Sequence, residues 1–412
     1  MAYRFTVTLC SALLIGVSAV ACTAATAERP IPPAIVEEAE AGKPTPREPV
    51  PDPGFVPPVA KPFVFKAAPP GTFAQAVSAG GSVVKTPKIV PIFYANDPQK
   101  QIITDFTSKL ATSAYWGAIT AEYGVGALTA QTPIVLEETA PTAITGDQID
   151  AWLAGKFTSD AARFGAPDSS TLYAIYFPPG TTVSEGSSTG CMEFGAYHYE
   201  TSAMGTPISY AVMPRCAAFA GLAGADVTTF AGSHEILEWA TDPFPATRPA
   251  YNRVDDDHAV WSRVFLGELG DLCTQLGNAS FVPADLGVTV QRTWSNASAS
   301  AGHHPCAPIT KTPYFTAFPA KSEPIAVTDR FGRHTTTSGV KVGVGQKKTI
   351  ELTMYSDAAV GSWTVQVVDL TRLYGVATEF SYELDKAKGT SGDTLQRSPS
   401  PARKPRRRVR VS

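Results

Sequence analysis

The chain has 412 residues and a formal net charge of −3, with 17% charged and 44% hydrophobic residues. This length is enough for about two domains, and the hydrophobic content is typical of proteins that bury a core. The near-neutral charge gives no reason to expect a nucleic-acid partner, because such proteins carry basic patches.

Residues 1–21 have the pattern of a secretory signal peptide. Arg4 supplies a positive charge, an apolar run follows, and Ala19 and Ala21 form a small-x-small cleavage site. Cleavage there leaves Cys22 first, as in a bacterial lipoprotein, although lipoprotein signals usually carry Leu where this chain has Ala19. Lipid anchoring and simple secretion both stay open. No later segment has 18 uninterrupted apolar residues, so we expect a secreted or cell-envelope protein that contacts a membrane only through a lipid on Cys22.

The remaining chain divides by composition into four segments. Residues 22–70 are crowded with prolines and charges, which favours an extended tether over a core. Residues 71–312 alternate helix-like and strand-like patterns, which predicts an α/β or α+β body. Residues 313–385 have short strand-like runs between turns, which predicts an antiparallel β-sandwich domain. Residues 386–412 are rich in serine, proline and arginine, and we predict a disordered basic tail.

The periodicity of the body predicts its main elements in chain order. Strands are expected at 88–94, 171–177 and 208–213, and helices at 98–123, from Thr145 to Phe157, and at 226–240. Pro91 lies inside the first of these strands and has no N–H to donate. That strand is therefore expected at a sheet edge or at a bulge.

Four cysteines remain after Cys10 and Cys22, and an even number in an exported chain indicates two disulfides. Loop-closure entropy favours partners that are close in sequence. We therefore predict the pairs that follow: Cys191–Cys216 and Cys273–Cys306.

The most informative segment is residues 233–238, which read SHEILE. On a helix, His234 and Glu238 lie one turn apart on one face, where an imidazole and a carboxylate can bind one divalent metal. Glu235 follows His234 directly, and in the related HExxH motif this glutamate is the general base. Glu238 replaces the second histidine of that motif, which adds negative charge and favours harder ions. We expect a divalent metal, with zinc as the first candidate.

Further ligands are needed to complete such a site. Residues 267–273 read GELGDLC, and either Glu268 or Asp271 could supply a carboxylate oxygen. Asp242 follows the predicted helix and is a candidate hydrogen-bond partner for an imidazole N–H. His198 precedes a predicted edge strand and could act as a further ligand or as a donor to the transition state, although a purely structural role stays open.

Four blocks of the chain together resemble the plant EXORDIUM-like (phosphate-induced) proteins and their bacterial relatives. These blocks are CMEFGAYH at 191–198, YAVMPRC at 210–216, SHEILEWATDP at 233–243 and GELGDLC at 267–273. The resemblance covers roughly 88–308 and implies a shared site more than a named reaction. The order of edge strand, HExx helix and later carboxylate also resembles the zincin-type metallopeptidases, which implies a zincin-like body.

The sequence therefore favours a metal-dependent hydrolase, peptidase-like in its chemistry. His234, Glu238 and Glu268 would hold the metal, with Asp271 as the alternative to Glu268, and Glu235 would take a proton from the attacking water. The substrate would be a peptide or a cell-surface polymer. The second hypothesis is a non-enzymatic extracellular or cell-surface binding protein in which the same cluster of histidine and carboxylates is structural.

Overall fold

The computed structural model describes residues 68–69, 71–259, 261, 267–274, 278–308, 313–320, 323–328, 332–343, 345–367 and 380–401. The predicted signal peptide, Cys22 and nearly all of the tether lie outside these residues. Within the described ranges, no helix has both the length and the apolar character needed to cross a membrane.

The chain forms two compact units. The first contains Ala79–Ala250 and Ser280–Gln291. The second contains Tyr251–Ala279, the chain from Arg292 onward and the described residues up to Ser78. This partition differs from the predicted body of 71–312, because residues 251–279 and 292–312 group with the C-terminal strands.

Helices and strands alternate along most of the chain. The helices are α1 (Lys100–Thr112), α2 (Ala114–Thr120), α3 (Gly146–Ser159), α4 (Ala161–Phe164), α5 (Ala225–Thr241), α6 (Asp271–Thr274) and α7 (Asn296–Ser300), with 3-10 turns at Ala121–Tyr123 and Asp256–His258. The first strands are β1 (Ala76–Val77), β2 (Lys88–Phe93), β3 (Thr129–Ala130), β4 (Ile134–Val135), β5 (Ala143–Thr145), β6 (Thr171–Phe177), β7 (Thr182–Glu185), β8 (Ser188–Thr189), β9 (Tyr197–Ala203), β10 (Thr206–Pro214), β11 (Ala218–Phe219) and β12 (Leu222–Ala223). The later strands are β13 (Arg253–Val254), β14 (Ser280–Phe281), β15 (Val290–Gln291), β16 (Thr293–Trp294), β17 (Cys306–Ala307), β18 (Phe315–Pro319), β19 (Glu323–Thr328), β20 (His334–Gly339), β21 (Ile350–Ser356), β22 (Trp363–Thr364), β23 (Phe380–Leu384), β24 (Lys388–Gly389) and β25 (Thr394–Pro401).

The first unit is built on a sheet of order β3-β2-β6-β10-β9, with β4 also paired to β2. Strand β6 is parallel to β2 and to β10, whereas β9 runs antiparallel to β10 at the edge. All seven residues of β6 are buried. A strand buried on both faces needs helices on both sides, and the continuous apolar run of β6 reflects this.

Helix α3 covers one face of this sheet. Its apolar residues Ile149, Leu153 and Phe157 join sheet residues such as Ile175 and Val212 in one core cluster. Helices α1 and α5 pack on the opposite face. A Cβ added at Gly232 of α5 would lie 3.3 Å from the ring of Phe106 in α1 and 3.6 Å from the sulfur of Met213 in β10. The even-numbered side chains of β9 share this α5-facing side.

Pro91 does not place β2 at the sheet edge, which corrects that prediction. Strand β2 has β6 on one side and two short strands on the other. The short strands β3 and β4 pair with Lys88–Ile89 and with Ile92–Phe93, which leaves Pro91 in the gap between them. On the side of β2 that faces β3 and β4, Pro91 lies between the two paired stretches, so its missing N–H breaks no hydrogen bond to either strand. A proline is therefore tolerated inside this sheet.

Helix α5 is buried along its C-terminal half, where every residue from Gly232 to Thr241 is buried. It ends at Asp242, which precedes Pro243 and has left the helical region of backbone space. The residue before a proline disfavours the helical conformation, so the sequence itself ends the helix here. A helix buried to this extent normally carries apolar side chains. The charged side chains of α5 therefore need a specific explanation.

The second unit is rich in antiparallel strands. One sheet has the order β18-β21-β25-β23, and a two-stranded sheet joins β19 to β20. Leu352 and Met354 of β21 are buried against Trp363 and Leu384. The described residues of both units mix helices and strands, and the zincin-like body and the β-sandwich stay predictions.

The C-terminal segment corrects the prediction of a disordered tail over 386–412. Residues 394–401 form β25, which pairs with β21 through 394–397 and with β23 through 397–401. The two prolines of this strand, Pro399 and Pro401, lie beyond its pairing with β21. They have one neighbouring strand, so their missing N–H groups interrupt no second ladder. The rest of the predicted tail, 402–412, lies outside the described residues.

Both predicted disulfides are confirmed. The Cα atoms of Cys191 and Cys216 are 5.1 Å apart, and those of Cys273 and Cys306 are 5.9 Å apart. Each bridge lies within one unit. Two disulfides are compatible with an extracytoplasmic protein.

Candidate metal centre

Two histidines and two glutamates meet where β9 faces α5 in the first unit. His234 Nε2 lies 3.0 Å from Glu238 Oε2 and 4.0 Å from Glu235 Oε1. His198 Nδ1 lies 3.2 Å from Glu235 Oε2 and 3.8 Å from Glu238 Oε2. The i, i+4 pair predicted on the helix is therefore formed, and His198 of β9 joins it from across the sheet–helix interface.

These separations match those of atoms that share a metal ion. Two ligands bound to one tetrahedral zinc at about 2.0–2.1 Å lie about 3.4 Å from each other. The four nitrogen–oxygen distances, which run from 3.0 to 4.0 Å, lie on both sides of this ligand–ligand separation. Buried histidine, glutamate and aspartate side chains of the described residues could hold a metal ion. The identity of such an ion is not fixed by these distances alone, because nitrogen and oxygen donors suit several divalent metals.

Gln291 sets the orientation of the His234 ring. Its side-chain Oε1 lies 2.8 Å from His234 Nδ1. An amide oxygen only accepts hydrogen bonds, so Nδ1 carries the proton and Nε2 is the nitrogen that faces Glu238. Metal-binding histidines commonly make this kind of contact through their second ring nitrogen, because it fixes both ring orientation and tautomer.

Gln291 is itself held firmly on β15. Its backbone N–H donates to Ser233 Oγ at 3.0 Å, and its carbonyl accepts from the Tyr115 hydroxyl at 2.5 Å. The side chain is fully buried. Sequence reasoning missed Gln291, and no local signal could have found it: the residue lies 57 positions after His234 in a short strand without a recognisable motif.

The four side chains are almost completely removed from solvent. Their exposed fractions are 3% for His198, 5% for His234, 2% for Glu235 and 0% for Glu238. Burying an uncompensated carboxylate costs several kcal/mol, so two buried glutamates require nearby positive charge. One divalent cation would balance both carboxylates and leave both imidazoles neutral. The charge of the cluster therefore suits a divalent metal.

The other predicted site residues have different surroundings. Asp242 Oδ1 accepts a hydrogen bond of 2.5 Å from the backbone N–H of Ala250, which fixes the chain after α5. Its predicted contact with an imidazole stays a prediction.

Glu268 and Asp271 belong to the second unit, and both are buried, at 1% and 4% exposure. Asp271 begins α6, which also contains Cys273 of the second disulfide. The ligand role of Glu268 or Asp271 stays a prediction.

Two of the concave surfaces of the described residues are lined by residues other than the histidine–glutamate cluster. A cavity of about 440 Å³ is lined by residues of 79–82 and 244–249, and one of about 310 Å³ lies in the second unit.

Comparisons of the chain with known proteins give no match, whether with protein-family models, with curated proteins or with solved structures. The resemblance to the EXORDIUM-like proteins and to zincin-type metallopeptidases accordingly stays a prediction from the four sequence blocks.

Proposed function

We propose that this protein is a divalent-metal-dependent hydrolase with a centre built on α5. The observation that carries the proposal is the contact between His234 Nε2 and Glu238 Oε2. With Nδ1 already bound to Gln291, a neutral His234 would place two acceptor atoms face to face at 3.0 Å. A cation at this position, either a proton on the ring or a metal ion, removes that repulsion.

A metal fits this position better than a proton does, because Glu238 is shared. His198 Nδ1 also approaches Glu238 Oε2, so two imidazoles converge on one carboxylate oxygen. Protonation of both rings would place two like charges side by side in a buried volume. A single divalent ion serves both rings and the carboxylates at once. His234 and Glu238 are the proposed ligands, His198 is a further candidate, and Glu268 or Asp271 remains the predicted additional carboxylate.

Glu235 is the proposed general base. It lies next to His234 in the sequence, and its carboxylate contacts His198 at 3.2 Å. A bound divalent ion would supply Lewis-acid polarisation of the substrate carbonyl and of the attacking water. Glu235 would accept the proton of that water, and His198 would donate a hydrogen bond to the charge that develops. General-base catalysis of this kind contributes about 100- to 10,000-fold.

The substrate class follows from the position of His198. It lies on β9, the terminal strand in the sheet order of the described residues. An edge strand can pair with an extended peptide through backbone hydrogen bonds. A peptide bound along β9 would pass the face that carries His198. We therefore propose a peptide substrate ahead of other polymers.

The second candidate is a metal centre with a purely structural role in an extracellular binding protein. Its support is burial: Glu238 has no exposed surface, and Glu235 has 2%. Structural metal sites are closed, whereas catalytic sites keep one coordination position open to substrate. In this case the ion would brace β9 against α5 without turning over a substrate.

One experiment separates the two candidates. The exported protein is stripped of metal with a chelator and reloaded with zinc, and bound zinc, thermal stability and cleavage of a broad peptide library are measured. The hydrolase predicts about one zinc per chain and zinc-dependent cleavage. The structural centre predicts the same zinc content and a higher melting temperature without cleavage. A chain that binds no divalent metal contradicts both candidates. Glu122→Gln, an exposed change in the first unit, serves as the control variant.

A further inference from the structure

The second unit contains a groove of about 310 Å³ that differs chemically from the candidate metal centre. Its lining combines aromatic rings, hydroxyl groups and one aspartate, and no lysine or arginine lines the described groove. The residues used below are Thr72, Asp257, Phe318, Ser338, Thr353 and Tyr355. A concave surface with aromatic walls and a few fixed polar groups has the general character of a small-ligand site.

The aromatic wall is formed by one face of the β18–β21 pair. Phe318 lies directly opposite Thr353 in the antiparallel register, and Tyr355 follows two residues later on the same face. The ring centroids of Phe318 and Tyr355 are 6.2 Å apart. Phe73, which is 1% exposed, packs edge-on against Phe318 at 5.1 Å. The rings are therefore held in place by the protein before any ligand arrives.

The polar rim is fixed by hydrogen bonds as well. Ser338 Oγ donates to Asp257 Oδ1 at 2.8 Å, and Thr337 Oγ1 donates to the Asp257 carbonyl at 3.0 Å. His258, which also lines the groove, contacts the Thr72 carbonyl through Nε2 at 3.1 Å. Groups that are positioned in advance lose little conformational entropy on binding, which favours affinity.

We infer that this groove binds a neutral saccharide. A sugar ring has an apolar face of C–H groups that packs on aromatic rings and an equatorial belt of hydroxyls that needs both donors and acceptors. Phe318 and Tyr355 supply the rings. Asp257 accepts hydrogen bonds, the hydroxyl of Thr353 can both donate and accept them, and the oxygen of Ser338, whose hydrogen goes to Asp257, can accept one. Asp257, which is the one carboxylate among the lining residues, disfavours phosphates and acidic sugars.

The rival ligand is an organic cation. An ammonium group also binds over an aromatic face and beside a carboxylate. The Thr353 hydroxyl favours the saccharide, because an ammonium group has no acceptor atom for its hydrogen, whereas the hydrogen of Ser338 is already donated to Asp257. The saccharide site is independent of the metal proposal, since its residues take no part in the candidate centre.

The test is calorimetric titration of the whole exported chain with neutral oligosaccharides: cellotriose, chitotriose, xylotriose and mannotriose. At least one should bind with a Kd of about 1 mM or tighter. Tyr355→Ala should weaken it by about tenfold or more, whereas Tyr355→Phe, which keeps the ring, should weaken it by less than about threefold. Asp257→Asn should weaken it by about three- to tenfold. The control is Phe315→Ala. Phe315 lies on β18, as Phe318 does, but its 47%-exposed ring packs on Trp363 outside the groove lining. Its removal should leave the Kd unchanged.

The inference is overturned if none of the four sugars binds at concentrations up to about 10 mM. It is also overturned if Phe315→Ala weakens binding as much as Tyr355→Ala does, because the ligand would then occupy a different surface. Binding of N-butylammonium in place of every sugar would assign the groove to a cation. Tyr355→Phe keeps the test valid if Tyr355→Ala fails to fold, since loss of sugar binding in the phenylalanine variant would contradict stacking as its basis.

Discussion

The amide oxygen of Gln291 lies 2.8 Å from His234 Nδ1 and fixes which ring nitrogen faces Glu238. The two residues lie on different elements, β15 and α5, that pack together within the first unit. This contact turns His234 from a buried polar residue into an oriented donor of a nitrogen lone pair. The proposed metal-binding role of α5 thus depends on a residue outside the motif that indicates it.

Replacement of Gln291 should weaken metal binding without removing a ligand. Gln291→Leu keeps the backbone contacts to Ser233 and Tyr115 but deprives His234 of its acceptor, so zinc affinity should fall by about 10- to 100-fold. Gln291→Glu keeps an acceptor and should retain or tighten binding. Competition with a chromophoric chelator measures both affinities. Equal affinity in the leucine variant and the wild type would show that Gln291 does not orient the ring.

Changes at Glu235 and His234 should separate metal binding from turnover. Glu235→Gln preserves shape but cannot accept a proton, so zinc content should stay near that of the wild type while peptide cleavage falls by about 100-fold or more. His234→Ala removes a ligand and should lose both properties. The measurements are metal analysis and a peptidase assay on each purified variant. Unchanged cleavage by Glu235→Gln would remove this residue from the mechanism.

Local signals explain which parts of the structure the sequence could predict. Helix α3 begins after Thr145, whose side chain accepts from Gln148 N–H while the Gln148 side chain accepts from Thr145 N–H. This capping box depends only on residues within a stretch of four, so the local sequence is enough to predict it. The pair of His234 and Glu238 is likewise a local pattern, because four residues make slightly more than one turn of helix.

The features that sequence reasoning did not find depend on distant partners. Gln291 contacts His234 through the packing of β15 on α5, and nothing near Gln291 in the sequence marks it. Strand β25 forms in a serine- and proline-rich segment because β21 and β23 supply its hydrogen bonds. Pro91 was expected at a sheet edge or at a bulge, and the gap between β3 and β4 that it occupies is a property of the assembled sheet rather than of β2.

Gly232 should control how closely α5 packs on the sheet. A Cβ there would lie 3.3 Å from the Phe106 ring, so the larger Gly232→Val side chain should overpack this interface and destabilise the protein by about 1–3 kcal/mol. Gly155→Val is the matched control, because Gly155 of α3 has nothing within 4 Å of its Cβ position. That change should alter stability by less than about 0.5 kcal/mol. Urea unfolding measures both, and equal effects would contradict the packing argument.

Asp255 should make the second unit sensitive to acid. Burial alone would raise the pKa of Asp255, but hydrogen bonds from His258 and from the Gln75 N–H outweigh burial and hold the pKa below its usual value of 3.8. A carboxylate with a lowered folded-state pKa stabilises the protein above its unfolded-state pKa, and this contribution is lost as the pH falls through the folded-state value.

Asp255→Asn should therefore melt at a lower temperature than the wild type at pH 7, and the difference should shrink below about pH 4. Calorimetric melting of both proteins between pH 7 and pH 2.5 measures this. A difference in melting temperature that is constant over the whole range would show that the charge of Asp255 does not contribute.

The most direct test of the central claim is equilibrium dialysis of the metal-free chain against zinc, with Glu238→Ala measured beside the wild type. Glu238 Oε2 lies 3.0 Å from His234 Nε2, and it also lies within 4 Å of His198 Nδ1. We expect about one tightly bound zinc per wild-type chain and a loss of that ion in Glu238→Ala. A wild-type chain that binds no zinc, or a Glu238→Ala variant that binds it equally well, would contradict a metal centre on α5.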